Sequence, residues 1–277
     1  MKTLTFEELV ATIDVDTLEE TASLELAYGG LPKNRPVEHH QCIRQIKSIL
    51  EKTGNEVVEN PIYISKRHAA RVNYKGAVEQ CPIENYLCQR LVTKIDLKGT
   101  SKEYSTSIGI SYTEKGIQLA YGMNVWVCSN LNVFGGEMYQ TFGSDKLEYN
   151  TLIEVLESKI ENHQHWLDKY IEYTELLKAH KIGEKELNDI FGRLIQSATE
   201  YNTNRAAVAP MNITQVVRTI EESHKSETNP LSTDNNLWDV MQWGTSILKP
   251  KTYDMSTLLP HTYKWSNFVL DYSGASN

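Results

Sequence analysis

The spacing of apolar residues changes near the middle of the chain. Before about residue 131, apolar and polar residues alternate over short segments. The segment "YSTSIGISY" is the clearest, with one face formed by Tyr104, Thr106, Ile108, Ile110 and Tyr112. A period of two is typical of half-buried strands, and short connections favour antiparallel pairing. We therefore predict about six strands between residues 55 and 131, in a largely antiparallel sheet.

Helices are predicted before these strands. At residues 37–53, Pro36 suits a first turn, the apolar residues repeat at helical spacing, and Gly54 stands where a C-terminal glycine belongs. This helix is expected to pack on one face of the sheet. Residues 4–28 read as one or two short acidic helices, with Thr5 as a cap.

After residue 147 the apolar residues recur at steps of four and three, from Tyr149 to Leu177. This seam is typical of a coiled coil and predicts one helix over about 148–180. Such a helix is roughly 45 Å long, whereas a six-strand sheet is about 24–29 Å wide. Some of the helix's apolar stripe must therefore meet either the later helices or another chain. We predict a homo-oligomer, with His163 as a polar register-setting position. The predicted interface residues are Tyr149, Ile153, Leu156, Ile160, His163, Leu167 and Tyr170.

Further helical segments follow the seam. They are "EKELNDIFGRLIQSATEY", "NITQVVRTIEESHK" with Asn212 as cap, "NNLWDVMQWGTSILK", and a last segment containing Trp265. The predicted fold class is α+β: a largely antiparallel sheet with a packed helix, followed by a long helix and an all-helical C-terminal region. We divide the chain into an acidic helical segment (1–35), a mixed helix and sheet domain (36–146) and a helical region (147–277).

Charge limits the function classes. The formal net charge is −8, with −3 in residues 1–150 and −5 in residues 151–277. A protein that grips duplex DNA usually shows a basic stripe, because phosphate contacts supply most of the affinity. The acidity therefore favours a protein partner. No apolar run approaches the roughly 20 residues of a membrane span, and the N-terminus lacks the apolar stretch of a signal peptide, so we expect a cytoplasmic protein that does not bind membranes.

One local basic cluster stands out in this acidic chain. It consists of Lys66, Arg67, Arg71 and Lys75. With Tyr63 and Tyr74 alongside, it is a candidate for binding single-stranded nucleic acid by charge and stacking. The alternative is a solvated turn with salt bridges to Glu59 or Glu79.

Candidate chemistry is sparse. In "NVWVCSNLNVFGGE" (124–137), Cys128 lies in an apolar strand without a nearby histidine, which indicates a structural thiol, and Phe134–Gly136 reads as a turn. His39, His40 and Cys42 are too close along a helix to converge on a metal. No nucleophile, base and orienting group can be assembled. We expect no catalytic residue, cofactor or metal.

The C-terminal segments are dense in aromatic residues. They are Trp238, Trp243, Tyr253, Tyr263, Trp265 and Phe268. In a core they would lock the last helices together, and on the surface they would form an interface, since Trp and Tyr are favoured there.

The segment "IGISYTEKGIQLAYGMNVWVCSNLNVFGGE" resembles the central motif of an uncharacterised phage/plasmid-like protein family. The matching positions are Gly109, Ser111, Gly122, Val125, Trp126, Val127, Cys128, Asn130, Leu131, Gly136 and Glu137. "HHQCIRQIKSILEKTGNEV" and "LWDVMQWGTSILKP" are also similar to that family. The family's basic run after the glycine–glutamate pair is replaced here by "MYQTFGSDK". The resemblance implies a setting on phages, plasmids and their hosts, and no mechanism.

We therefore expect a phage- or plasmid-type accessory protein that acts non-enzymatically by binding a macromolecular partner. A host protein is the preferred partner, and counteracting host defence is one such role. The alternative is a single-strand nucleic-acid-binding protein in phage or plasmid replication or recombination. A helix, a set of strands and a long helix are also the outline of single-strand annealing proteins, which is an analogy of fold alone.

Overall fold

Strands and helices alternate in blocks along the chain. The computed structural model describes residues 10–19, 37–65, 91–99, 102, 104–113, 116–125, 134–142, 146–203, 209–225, 235–248 and 255–274. The strands are β1 Val10–Ile13, β2 Val57–Glu59, β3 Ile62–Ser65, β4 Leu91–Lys98, β5 Tyr104–Thr113, β6 Gly116–Val125 and β7 Phe134–Phe142. The labelled helices are α1 His39–Glu51, α2 Lys146–Glu161, α3 His163–Ala179, α4 Glu184–Thr203, α5 Ile213–Lys225, α6 Leu237–Ile247 and α7 Met255–Ser273.

The strands form one sheet in the order β1-β3-β4-β5-β6-β7, and β2 also pairs with β4. Every pairing is antiparallel. Strands β4 to β7 follow one another in sequence and in space, as short connections require. The predicted α+β class, with its antiparallel sheet and helical C-terminal region, is confirmed.

Two local predictions were wrong. Val10–Ile13, expected in a helix of the 1–35 segment, form β1 and pair with β3, because strand pairing overrides local helical spacing. Phe134–Gly136, expected as a turn, begin β7, which pairs with β6.

The seam predicted as one helix forms two. Helix α2 ends at Glu161, Asn162 has φ −103° and ψ 21°, and α3 begins at His163. A long straight helix would keep its apolar face against one hydrophobic core. Here the two halves of the seam pack into two different cores. Its first half lies in the core with α1 and its second half lies with α6 and α7.

This packing corrects the predicted oligomer interface. Six of the seven predicted side chains are buried within the chain: Tyr149, Ile153, Leu156, Ile160, Leu167 and Tyr170. Only His163 is half-buried. The seam residues are therefore not available to a second copy. Oligomerisation through other surfaces stays a prediction.

Both faces of the sheet are buried, and two cores result. The first core joins α1 and α2 to one face of the sheet, with Cys42, Ile46, Ile95, Ile108 and Leu156 among its members. The second core is mostly helical, from α3 to α7, and includes Val92 and Ala120 of the opposite sheet face. The chain therefore changes from strands to helices near residue 146, but the first core continues past this point into α2.

Side-chain caps fix the start of two C-terminal helices. Asn212 Oδ1 accepts the backbone N–H of Gln215 at 3.0 Å, and Gln215 Oε1 accepts the backbone N–H of Asn212 at 2.7 Å. Asn236 and Asp239 make the same reciprocal pair at the start of α6. Such capping boxes satisfy helix N–H groups that have no intrahelical partner. The cap predicted at Asn212 is confirmed.

Trp265 is the largest side chain buried in the second core. It is fully buried, and its indole N–H donates to the Met241 carbonyl oxygen at 3.2 Å. Gly244, one turn further along α6, lies so close that an added Cβ would stand 2.2 Å from the indole ring. Glycine at this position lets α6 and α7 approach.

We expect Gly244→Ala to destabilise the protein by about 1–3 kcal/mol, because the indole cannot move in a packed core without displacing its neighbours. The measurement is the free energy of unfolding in urea.

The matched control for Gly244→Ala is Gly192→Ala. Gly192 is exposed within α4 and has no atom within 4 Å of an added Cβ. This substitution should stabilise the protein by about 0.5–1 kcal/mol. Equal effects of both substitutions would contradict the close approach of α6 and α7.

His261 makes stability depend on pH. Burial lowers the pKa of its imidazole, whose Nδ1 lies 2.9 Å from the Pro210 carbonyl oxygen and donates to it. Below about pH 6.5 the unfolded chain binds a proton that the folded chain resists, so stability is lost as the pH falls. The slope for one such group is at most about 1.4 kcal/mol per pH unit.

His261→Asn keeps an N–H donor but does not titrate. We expect it to lower the stability at pH 8 and to flatten the loss of stability between pH 7 and pH 5. Urea unfolding at several pH values measures both effects. A variant whose pH profile runs parallel to that of the wild type would contradict the assignment.

Candidate functional site: a buried polar network and an exposed helix stripe

A polar network lies in the sheet, on the face shared with Val92 and Ala120. The register puts Lys94 opposite Gly109 and Asp96 opposite Ser107. On the next strand Gly122 is opposite Ser107 and Asn124 is opposite Ser105. Gly109 and Gly122 therefore lie on the same sheet face as Lys94 and Asp96.

The network joins three strands and the connection between β2 and β3 around one carboxylate. Asp96 Oδ2 accepts from Asn60 Nδ2 at 2.8 Å and from Asn124 Nδ2 at 3.4 Å, and Asp96 Oδ1 accepts from the Ser107 hydroxyl. Lys94 Nζ lies 3.6 Å from Asp96 Oδ2 and donates to Asn124 Oδ1 at 2.7 Å. We call Asn60, Lys94, Asp96, Ser107 and Asn124 the polar network.

Most of the polar network is closed to solvent, although Asn60 is half-buried. Lys94 is 3% exposed, Asp96 1% and Asn124 3%. A buried charge must be paired and hydrogen-bonded, and this carboxylate is. Ser105 Oγ and Gln118 Oε1 are buried on the same face with no hydrogen-bond partner in the part of the chain that the structure describes. With its groups paired to one another, the network fixes strand register, and its Lys94 and Asp96 charges are not exposed to a substrate.

The sequence prediction missed this network. The only local signal is "LVTKIDLK", in which polar residues at 94, 96 and 98 alternate with apolar ones. That pattern predicts a solvated face. Burial of the charged face arises from α7, which contacts β4, β5, β6 and β7 and is far away in sequence.

Glu38, His39 and His40 bring three possible metal-ligand atoms within 4.8 Å of one another. Glu38 has extended backbone before α1, so the argument from helix geometry does not apply to it. His39 Nδ1, however, accepts the backbone N–H of His40 at 3.1 Å, which leaves the proton on Nε2. The positive N-terminal end of α1 also disfavours a cation. We therefore assign no metal to this cluster.

Cys42 lies one turn further along α1 and is buried. Burial raises the pKa of its thiol, so the reactive thiolate is disfavoured.

His163 bonds within the chain. Its Nδ1 donates to the Ile160 carbonyl oxygen at 3.0 Å, which leaves Nε2 to accept from Asn55 Nδ2 at 3.2 Å. The ring thus ties the end of α1 to the break between α2 and α3. It borders an open groove of about 450 Å³ whose lining includes Lys52, Glu157 and Glu161.

The most accessible candidate surface is one side of α3. Trp166, Lys169, Tyr173 and Leu176 are spaced by three, four and three residues, so they share a helix face beside the buried seam. We call these four residues the α3 stripe. Leu176 is 48% exposed, and Trp166, Lys169 and Tyr173 are half-buried. Tyr173 also lines a small notch with Trp238 and Leu270.

Two lysines lie over the aromatic rings of the α3 stripe. Lys159 Nζ is 4.4 Å and Lys169 Nζ 5.1 Å from the Trp166 ring centroid, and Lys169 Nζ is 5.5 Å from the Tyr173 centroid. Cation–π contacts of this kind hold the rings in place.

An acidic row borders the α3 stripe. Asp168, Glu172 and Glu175 are exposed on the neighbouring side of α3, and we call them the acidic row. Asp168 accepts from Gln164 at 2.7 Å, and Glu175 pairs with Lys178 at 2.8 Å. The two helices together, residues 146–179, contain seven Asp or Glu and four Lys, a formal charge of −3.

Several predicted sites lie outside the described residues. They are Lys66, Arg67, Arg71 and Lys75 of the basic cluster, and Cys128. The aromatic set divides between core and surface. Trp243 and Trp265 are buried, whereas Trp238, Tyr263 and Phe268 are half-buried, and Tyr253 lies outside the described part.

No described helix is both long enough and apolar enough to cross a bilayer. Comparison with known proteins adds no relative: no family model matches the chain, and no curated protein or solved structure matches it significantly.

Removing Lys94 should be costly. Lys94→Met leaves the buried Asp96 carboxylate without its cation, and we expect a loss of about 3–5 kcal/mol in the free energy of unfolding. Chemical denaturation measures it.

Lys98→Met is the matched control for Lys94→Met. Lys98 lies on the same strand and pairs with Glu56 at 2.6 Å, but its side chain is 40% exposed. Loss of this solvent-exposed pair should cost less than about 1 kcal/mol. A similar cost for both variants would show that the buried network does not hold the sheet.

Proposed function

We propose that this chain is a phage- or plasmid-type accessory protein that acts without catalysis, by binding a host protein through the α3 stripe. The observation that carries the proposal is the exposed Leu176 in line with Trp166 and Tyr173 on one helix face. Tryptophan and tyrosine are the residue types that dominate interface energetics. The setting on phages and plasmids rests on the sequence resemblance alone.

Two of the other exposed apolar side chains stand on helices other than α2 and α3, whereas Val155, which is 43% exposed, stands on α2. Ile195 and Val217 are 43% and 47% exposed, but they stand on α4 and α5 beside polar residues. Single exposed apolar residues are ordinary features of protein surfaces. They serve as internal controls for the α3 stripe.

The charges on α2 and α3 favour a protein over a nucleic acid. A phosphate backbone following the α3 stripe would run beside the acidic row and meet a helix pair with a formal charge of −3. Nucleic-acid surfaces are basic, because phosphate contacts supply the affinity. Single-strand binding thus has no support from this surface.

The test is a pull-down from a lysate of the organism that carries the gene, read by mass spectrometry. Wild type, Leu176→Arg and Ile195→Arg are compared, each with and without nuclease. We expect a set of proteins bound by wild type and Ile195→Arg, resistant to nuclease, and reduced by about tenfold or more with Leu176→Arg, as for loss of an interface anchor.

Two outcomes would overturn the proposal. Binding that is unchanged in Leu176→Arg would place the partner elsewhere on the chain. Binding that disappears with nuclease would show that nucleic acid is the partner. Circular dichroism of both variants checks that the chain is folded, since both substitutions are at exposed helix positions.

A further inference from the structure

The α3 stripe and the acidic row together define the chemistry of the partner. Resting on the proposed function, we propose that the segment docking on α3 is a basic amphipathic helix of another protein. Its apolar side would cover Trp166, Tyr173 and Leu176. Its lysines or arginines would face Asp168 and Glu172.

Helical spacing argues for a helical partner. From Trp166 to Leu176 the α3 stripe runs roughly 15 Å along the axis, about three turns of helix. Its three-four-three spacing is that of a coiled-coil seam, whose natural complement is a second helix with the same spacing. The notch beside Tyr173, about 20 Å³ in volume, is of the order of one methyl group.

The free charges of α3 argue for a basic partner. Lys178 pairs with Glu175, and Lys159 and Lys169 lie over aromatic rings, so these cations already have local partners. Glu172 is exposed, and no ion pair for it occurs among the described residues. Carboxylates beside an apolar strip meet lysine or arginine across an interface, which fixes orientation and speeds encounter.

The same charges disfavour the other occupants. A second copy of this chain carries a formal charge of −8 and is repelled as it approaches. An acidic peptide would be repelled by the acidic row directly. A basic segment is attracted both by the row and by the net charge of the whole chain.

The test uses two synthetic helical peptides with the same leucine positions. One carries lysine at the polar positions and the other carries glutamate. Binding to the intact protein is measured by fluorescence anisotropy at low and at physiological salt. We expect the lysine peptide to bind and the glutamate peptide not to bind.

Charge-matched variants separate the α3 surface from the net charge. Asp168→Asn with Glu172→Gln removes two charges from the acidic row. Glu184→Gln with Glu221→Gln removes two exposed charges from α4 and α5 and changes the net charge equally. The first pair should weaken binding of the lysine peptide by about fivefold to tenfold, and the second by less than about twofold. Leu176→Ser should also weaken it.

Equal weakening by the two pairs, or equal binding of the two peptides, would overturn the inference. A cellular partner that depends on Leu176 but docks through an acidic segment would overturn it too, and would leave the proposed function standing. If no cellular partner depends on Leu176, the proposed function itself is wrong.

Discussion

The burial of both faces of the sheet is the constraint on which the rest of this structure depends. One face is apolar and is covered by α1 and α2. The other face carries Lys94 and Asp96, and it is covered all the same, because α7 crosses β4 to β7. Burying two charged side chains is unfavourable unless they pair. The paired network and the small residues around it, Gly109 and Gly122, follow from that requirement.

Covering two faces also explains the break in the long apolar seam. A single straight helix can follow only one face, whereas this segment must first pack with α1 and then with α6 and α7. The chain turns at Asn162, and His163 ties the turn to Asn55. The extra length that the sequence suggested for a partner copy is thus used within the chain.

The parts of the fold that local pattern could predict are those with strong periodicity. The spacing of apolar residues and the signals at helix ends predict helix α1, strands β5 and β6 and the cap at Asn212. The errors have a common origin in long-range pairing. Val10–Ile13 become a strand only because β3 lies beside them, and Lys94 and Asp96 become buried only because α7 returns to the sheet. No local window contains that information.

The sequence pattern did not distinguish the α3 stripe from the buried seam. Trp166, Tyr173 and Leu176 follow the same helical repeat as the buried seam beside them, so periodicity assigns all of them to one broad apolar side. The structure separates the two, because the second core covers Leu167 and Tyr170 and stops short of Leu176. An apolar side wider than the core it packs against leaves an exposed margin. On this acidic chain, that margin lies beside carboxylates, so its chemistry favours a basic protein segment over a nucleic acid.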